Sequence, residues 1–237
     1  AGLGVSGTAH LILADGAKLT ASSGVRVVDG NALNIYAQSE GDEAGALVAQ
    51  GSAYAAGIGG WNHESCGTVV IHGGHVRTTG GDQGAGIGGG YWGNGGRITI
   101  DGGRVTAIGG SGSTAGIGGG HWGSGGIVTI RGGTVSASGN FDDIGHGTGG
   151  GSGTTTIIGG SVYLAHGKAT PQPTDAAGRP VYCVTVKDLE TLTSVDGLDR
   201  YGLRDVDLID GMLYLWLPDG EHSFAVNGYD FTATVNG

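Results

Sequence analysis

One phrase returns through the middle of this chain at a nearly constant interval. Ala56-Gly57-Ile58-Gly59-Gly60 recurs as Ala85-Gly86-Ile87-Gly88-Gly89-Gly90 and as Ala115-Gly116-Ile117-Gly118-Gly119-Gly120, then loosely as Asp143-Ile144-Gly145-His146-Gly147. Each copy leads into a second phrase: Val70-Ile71-His72-Gly73-Gly74, Thr99-Ile100-Asp101-Gly102-Gly103, Thr129-Ile130-Arg131-Gly132-Gly133 and Ile157-Ile158-Gly159-Gly160. Taking Ile71, Ile100, Ile130 and Ile158 as anchors, the spacing is 29, 30 and 28 residues. A repeat of this length, built from strand-forming residues without a helical run, predicts a β-solenoid. With 56 Gly and 4 Pro in 237 residues, the composition approaches the range of disordered chains. Phased Val and Ile between the glycines argue against disorder, because flexible linkers carry no such register.

Within a unit the alternation predicts three short strands, in the second copy Ala85–Ile87, Arg97–Asp101 and Arg104–Ala107. Ile98, Ile100, Val105 and Ala107 then point inward, and Arg97, Thr99, Asp101, Arg104 and Thr106 outward. Gly-Gly pairs supply the corners. Residues 1–54 read as earlier, less regular coils around Asp-Gly turns, so the solenoid is expected over residues 1–168. Pro171, Pro173 and Pro180 mark 169–180 as a Pro/Thr-rich linker. Residues 181–237 lose the period and read as a small β-sandwich-like domain or a β-sheet that caps the solenoid. The Leu217-Pro218-Asp219-Gly220 turn with His222-Ser223-Phe224-Ala225-Val226 resembles a corner of the small prealbumin-like sandwiches of bacterial surface proteins. Because repeats start almost at residue 1, the chain is expected to belong to a longer multidomain protein.

The formal charge is −10 with only 11 Lys and Arg, scattered along the chain. That argues against nucleic acid and anionic membranes, which demand a basic patch. No run of 18 apolar residues suggests membrane insertion. Cys66 and Cys183 leave a single bridge or two buried free thiols open, the latter preferred.

Aligning the units places His63, Trp92 and Trp122 in one column and Asn62, Tyr91 and His121 in the next, with Trp61 just ahead. Aromatics among glycines have little bulk to bury them. Such a ladder either binds pyranose rings, with indole faces against CH groups and polar rims on hydroxyls, or roofs the glycine corners by stacking on itself. The expected substrate-binding set is Trp61, His63, Tyr91, Trp92, His121 and Trp122. A second column, His72, Asp101 and Arg131, reads as a surface ion pair or as a lyase site in which an Arg takes a proton beside bound Ca²⁺. Were the chain an enzyme, Asp101, Asp142, Asp143 and Arg131 would be the catalytic candidates. Glu40, Asp42 and Glu43 are weak Ca²⁺ candidates that lack the spacing of a dedicated loop.

The phrase Ala85-Gly86-Ile87-Gly88-Gly89-Gly90, an aromatic loop, then Ile98-Thr99-Ile100-Asp101-Gly102-Gly103-Arg104-Val105-Thr106-Ala107 resembles repeats in surface proteins of Gram-positive gut and soil bacteria. It is similar to carbohydrate-binding β-helix modules of cellulolytic clostridia, which share a fold with pectate lyases. The resemblance spans roughly residues 1–168. It implies an all-β, right-handed parallel β-helix, an extracellular or cell-surface location, and acidic or cellulosic glycans with calcium as partners. The leading expectation is a non-catalytic module that binds polysaccharide. A polysaccharide lyase or glycoside hydrolase on the same scaffold, and a passive stalk or adhesin segment, are the alternatives.

Overall fold

The alternation of apolar and polar residues is realised as three parallel sheets that wind around one core. The computed structural model describes residues 2–198, 203 and 206–237. Each sheet is six strands deep, and each coil contributes one strand to each sheet. Residues 2–54 supply the first two coils, in register with the regular ones.

In the second and third sheets the strands are Arg97–Ile100 and Arg104–Ile108 in the fourth coil, Ile127–Ile130 and Thr134–Ser138 in the fifth. Ile98, Ile100, Val105 and Ala107 are fully buried, as the period of two requires. They stack on Val128, Ile130, Val135 and Ala137 of the next coil. Burying each isoleucine stabilises the fold by about 1.5–3 kcal/mol. In the last coil the register corrects the anchor: Ile157, not Ile158, pairs with Ile130 and enters the core. Ile158 takes the outward place held by Asp101 and Arg131, because the Gly159-Gly160 corner follows it directly.

The first sheet explains the glycine phrase. Its strands are two residues long, Ile58–Gly59, Ile87–Gly88, Ile117–Gly118 and Ile144–Gly145 among them. The isoleucine points into the core, while Gly88 adopts φ 141°. A Cβ on Gly88 would overlap the carbonyl oxygen of Gly118 one coil on. No other residue fits both that dihedral and that approach. On either side of this short strand the chain swings out into two stacks of glycine-rich loops. Residues 51–57, 80–86 and 109–116 enter the strand, and 60–67, 89–96 and 119–126 leave it.

The carboxyl end is closed. Residues 169–180, expected as a linker, are hydrogen-bonded to the last coil: Thr170 N–H donates to Ile144 O, Ile157 N–H to Thr174 O and Thr174 N–H to Thr155 O. Beyond them Val181–Val186 pairs antiparallel with Leu213–Pro218, and Gly220–Val226 pairs with Tyr229–Val235 and Val195–Asp196. This small unit has a core of its own around Val186, Leu213, Leu215, Phe224 and Val226. It also caps the solenoid, since Val181 and Trp216 join the main core. Cys66 is buried and Cys183 exposed, both free. The expected second buried thiol is therefore a surface one.

Candidate functional site

The two loop stacks lean together over the short first sheet. Tyr91 N–H donates to Tyr54 O at 3.0 Å, His121 N–H to Gln83 O at 3.1 Å and Thr148 N–H to Ser113 O at 3.0 Å. This zipper brings a third column, Tyr54, Gln83 and Ser113, beside Asn62, Tyr91 and His121. Sequence reasoning missed Tyr54 and Gln83. Their signal was a constant offset of two residues before Ala56 and Ala85, in a loop treated only as a connection.

The column His63, Trp92 and Trp122 is confirmed by an unusual backbone. All three adopt left-handed φ, 60°, 61° and 64°, and Gly149 continues the series at 78°. Bulky residues rarely occupy this region. Inter-coil bonds hold it here, His63 N–H to Tyr91 O, Trp92 N–H to His121 O and Trp122 N–H to Thr148 O.

Trp92 and Trp122 stack at 5.4 Å with 14° between their planes. A Cβ on Gly149 would overlap the Trp122 ring, so its far face is seated on that glycine. The two indoles remain 50% and 43% exposed. Here the packing ladder forms. Trp61 stands apart: its ring lies under the Arg26 guanidinium, 5.7 Å from the centroid. Arg26 is paired with Glu64, and that hydrogen bond holds the Glu64 carboxyl below the usual carboxylate range.

What the loops enclose is an open depression of about 610 Å³ lined by Tyr54, Asn62, His63, Gln83, Tyr91 and His121. Tyr91 is central: Tyr54 is tilted at 46° to it, His63 meets it edge-on at 5.5 Å, and His121 stacks on it at 5.9 Å. Trp92 presents its ring to Tyr91 at 76°. His121 Nδ1 faces the Gly112 carbonyl oxygen, to which it donates. Three of the six expected substrate-binding residues, His63, Tyr91 and His121, thus line one surface with two side-chain amides. Trp92 and Trp122 flank it, and Trp61 does not line it.

The catalytic candidates fall into two pairs, Asp101 with Arg131 and Asp142 beside Asp143, set on different parts of the solenoid. Asp101 sits on the outer face of the second sheet, its Oδ1 at 3.0 Å from Arg131 Nη1 and its Oδ2 at 3.2 Å from His72 Nδ1. Asp142 and Asp143 are fully buried. Asp143 accepts bonds from Gly139 N–H, His166 N–H and Lys168 N–H, with His166 Nδ1 at 2.8 Å. Asp142 accepts from His146 N–H and the Thr170 hydroxyl. Both carboxylates, fully buried, fasten residues 166–170 to the last coil. Glu40, Asp42 and Glu43 are exposed, and Asp42 faces Arg104 at 3.5 Å. Among the described residues no three His, Cys, Asp or Glu converge as a metal site.

Fold and face together define a parallel β-solenoid whose distinguishing surface is an uncharged, aromatic loop corner. Residues 69–91, 98–121 and 128–152 each match a family model described as a beta helix repeat. Comparison with curated proteins and with solved structures returns no match.

Proposed function

We propose that this chain is a non-catalytic, extracellular carbohydrate-binding module of a larger protein, and that it takes a neutral glycan in the loop depression around Tyr91. The observation that carries this reading is the lining itself: two phenols, two imidazoles and two primary amides, with no charged side chain among them. Phenol flanks suit the CH faces of a sugar, and amides and imidazoles match hydroxyls that both donate and accept. Carboxylates flanking a glycosidic bond, which a hydrolase needs, have no counterpart there.

The test is a glycan array run with Ca²⁺ and with chelator, followed by product analysis on every hit. The expected result is retention of a neutral polysaccharide without cleavage and without dependence on Ca²⁺. Released oligosaccharides would point to the lyase or hydrolase reading. Silence on all glycans would leave a stalk or adhesin segment, with the loop ladder a purely structural device.

A further inference from the structure

The depression around Tyr91 has a length and a direction. Each first-sheet isoleucine is flanked, four residues before and four after, by one residue of either loop stack: Tyr54 and Asn62 about Ile58, Gln83 and Tyr91 about Ile87, Ser113 and His121 about Ile117. One ring from these positions comes forward per coil, Tyr54 in the third, Tyr91 in the fourth and His121 in the fifth. Their centroids advance by 5.7 Å and then 5.9 Å, a little more than the roughly 4.8 Å between stacked coils. The rings thus step along the solenoid axis, one coil at a time.

The same offsets show where the row stops. About Val25 of the second coil they fall on Ala21, inside a strand, and Asp29; about Ile144 of the sixth they fall on Asn140 and Thr148. The loop entering the first-sheet strand is three residues long before Val25, 22–24, and five before Ile144, 139–143, against seven or eight for 51–57, 80–86 and 109–116. Long entering loops therefore stand over three coils, with shorter ones on either side. The row is also fixed in advance. Tyr91 N–H donates to Tyr54 O, His121 N–H to Gln83 O, and the His121 ring to Gly112 O. A preset row gives up little conformational freedom when it binds.

We propose that the depression holds three successive sugars from the middle of an extended, equatorially linked chain, the geometry of β-linked glucose and mannose polymers, with one sugar per coil and the chain laid along the solenoid axis. This rests on the neutral-glycan reading above. The advance from ring to ring is close to that of one pyranose in an extended chain. A chain that coils, as α-linked glucose does, leaves such a straight row within a few sugars.

Calorimetric titration of the whole chain with cello-, manno- and malto-oligosaccharides of one to six units tests this. In at least one of the two extended series, affinity should rise at least about tenfold from one unit to three and then stay within about twofold up to six. Tyr54→Ala and His121→Ala each remove the ring at one end of the row, so in each the gain should end at two units. Tyr54 is 51% exposed, so its removal spares the core and carries the test alone should His121→Ala lose its melting transition. Four results would overturn the row of three while leaving neutral-glycan binding intact: full affinity for a single sugar, a gain that continues beyond three, preference for the malto series, or silence of both extended series beside positive array hits. Silence of the array and of all three series would overturn both readings together.

Discussion

Two ladders of side chains run along this solenoid, and they differ in what their members face. On the flat second sheet, Tyr36 stacks on His72 at 4.4 Å, His72 meets Asp101, and Asp101 meets Arg131. In this ladder Asp101 faces His72 on one side and Arg131 on the other, each one coil away. On the loop corner, Tyr54, Tyr91 and His121 also follow one another, yet the amides and imidazoles between them frame a depression instead of closing on each other. Both columns have the same period, so periodicity alone does not separate a structural ladder from a binding face. Neighbours do. A column whose polar groups satisfy one another stabilises the stack, and a column whose groups ring an open space is available to a ligand.

The sharpest contrast between the two surfaces is their dependence on glycine. Gly88→Val puts a branched side chain at φ 141° into the backbone of the next coil. It should cost more than about 4 kcal/mol and abolish cooperative thermal unfolding. Thr99→Val on the flat sheet should stay within about 0.5 kcal/mol. Equal melting temperatures for the two variants would break the comparison.

The buried carboxylates of the last coil form a third class. Asp143→Ala leaves three backbone donors without their acceptor and should lower stability by about 3–5 kcal/mol in denaturant unfolding. Glycan binding by the folded fraction should be unchanged.

Cys66 gives a pH-dependent reading of the loop corner. Burial pushes its thiol from the ordinary value of 9.0 up to about 12. Because the folded-state value is the higher one, the contribution is fully present below pH 9 and is lost as pH rises toward 12. Stability should fall by about 1.4 kcal/mol per pH unit across that window. In Cys66→Ala that component of the slope should disappear. Thiol titration at pH 8 should count Cys183 alone until denaturant is added.

Smaller effects separate stacking from binding. Removing both Trp92 and Trp122 deletes a stack worth about 0.5–1.5 kcal/mol beyond its buried area, so the melting temperature should drop while affinity changes only modestly. Asp101→Asn should cost at most about 1 kcal/mol, since its partners are partly exposed.

Much of the fold was legible because a solenoid repeats its instructions. Ile98, Ile100, Val105 and Ala107 declare the core by alternation, and Gly102-Gly103 declares the corner. The last coil misled because Ile157 and Ile158 are adjacent and chemically alike, and only the distance to Gly159-Gly160 decides which is buried. The site was half legible. His63, Tyr91 and His121 stood out as aligned aromatic residues, but Tyr54 and Gln83 reach the depression through carbonyl bonds between two loop stacks, a contact that spacing within one loop does not disclose. The burial of Asp142 and Asp143 was hidden for a related reason. Paired carboxylates in a glycine-rich stretch resemble surface chemistry until residues 166–170 fold back and bury them.

The most direct measurement is calorimetric titration of the strongest neutral glycan hit into wild type, Tyr91→Ala and Asp101→Asn, with melting curves for each. A loss of affinity of at least about tenfold in Tyr91→Ala alone, with its fold intact, is the predicted result. Full affinity in Tyr91→Ala, or a loss confined to Asp101→Asn, would contradict it and move the ligand to the flat sheet.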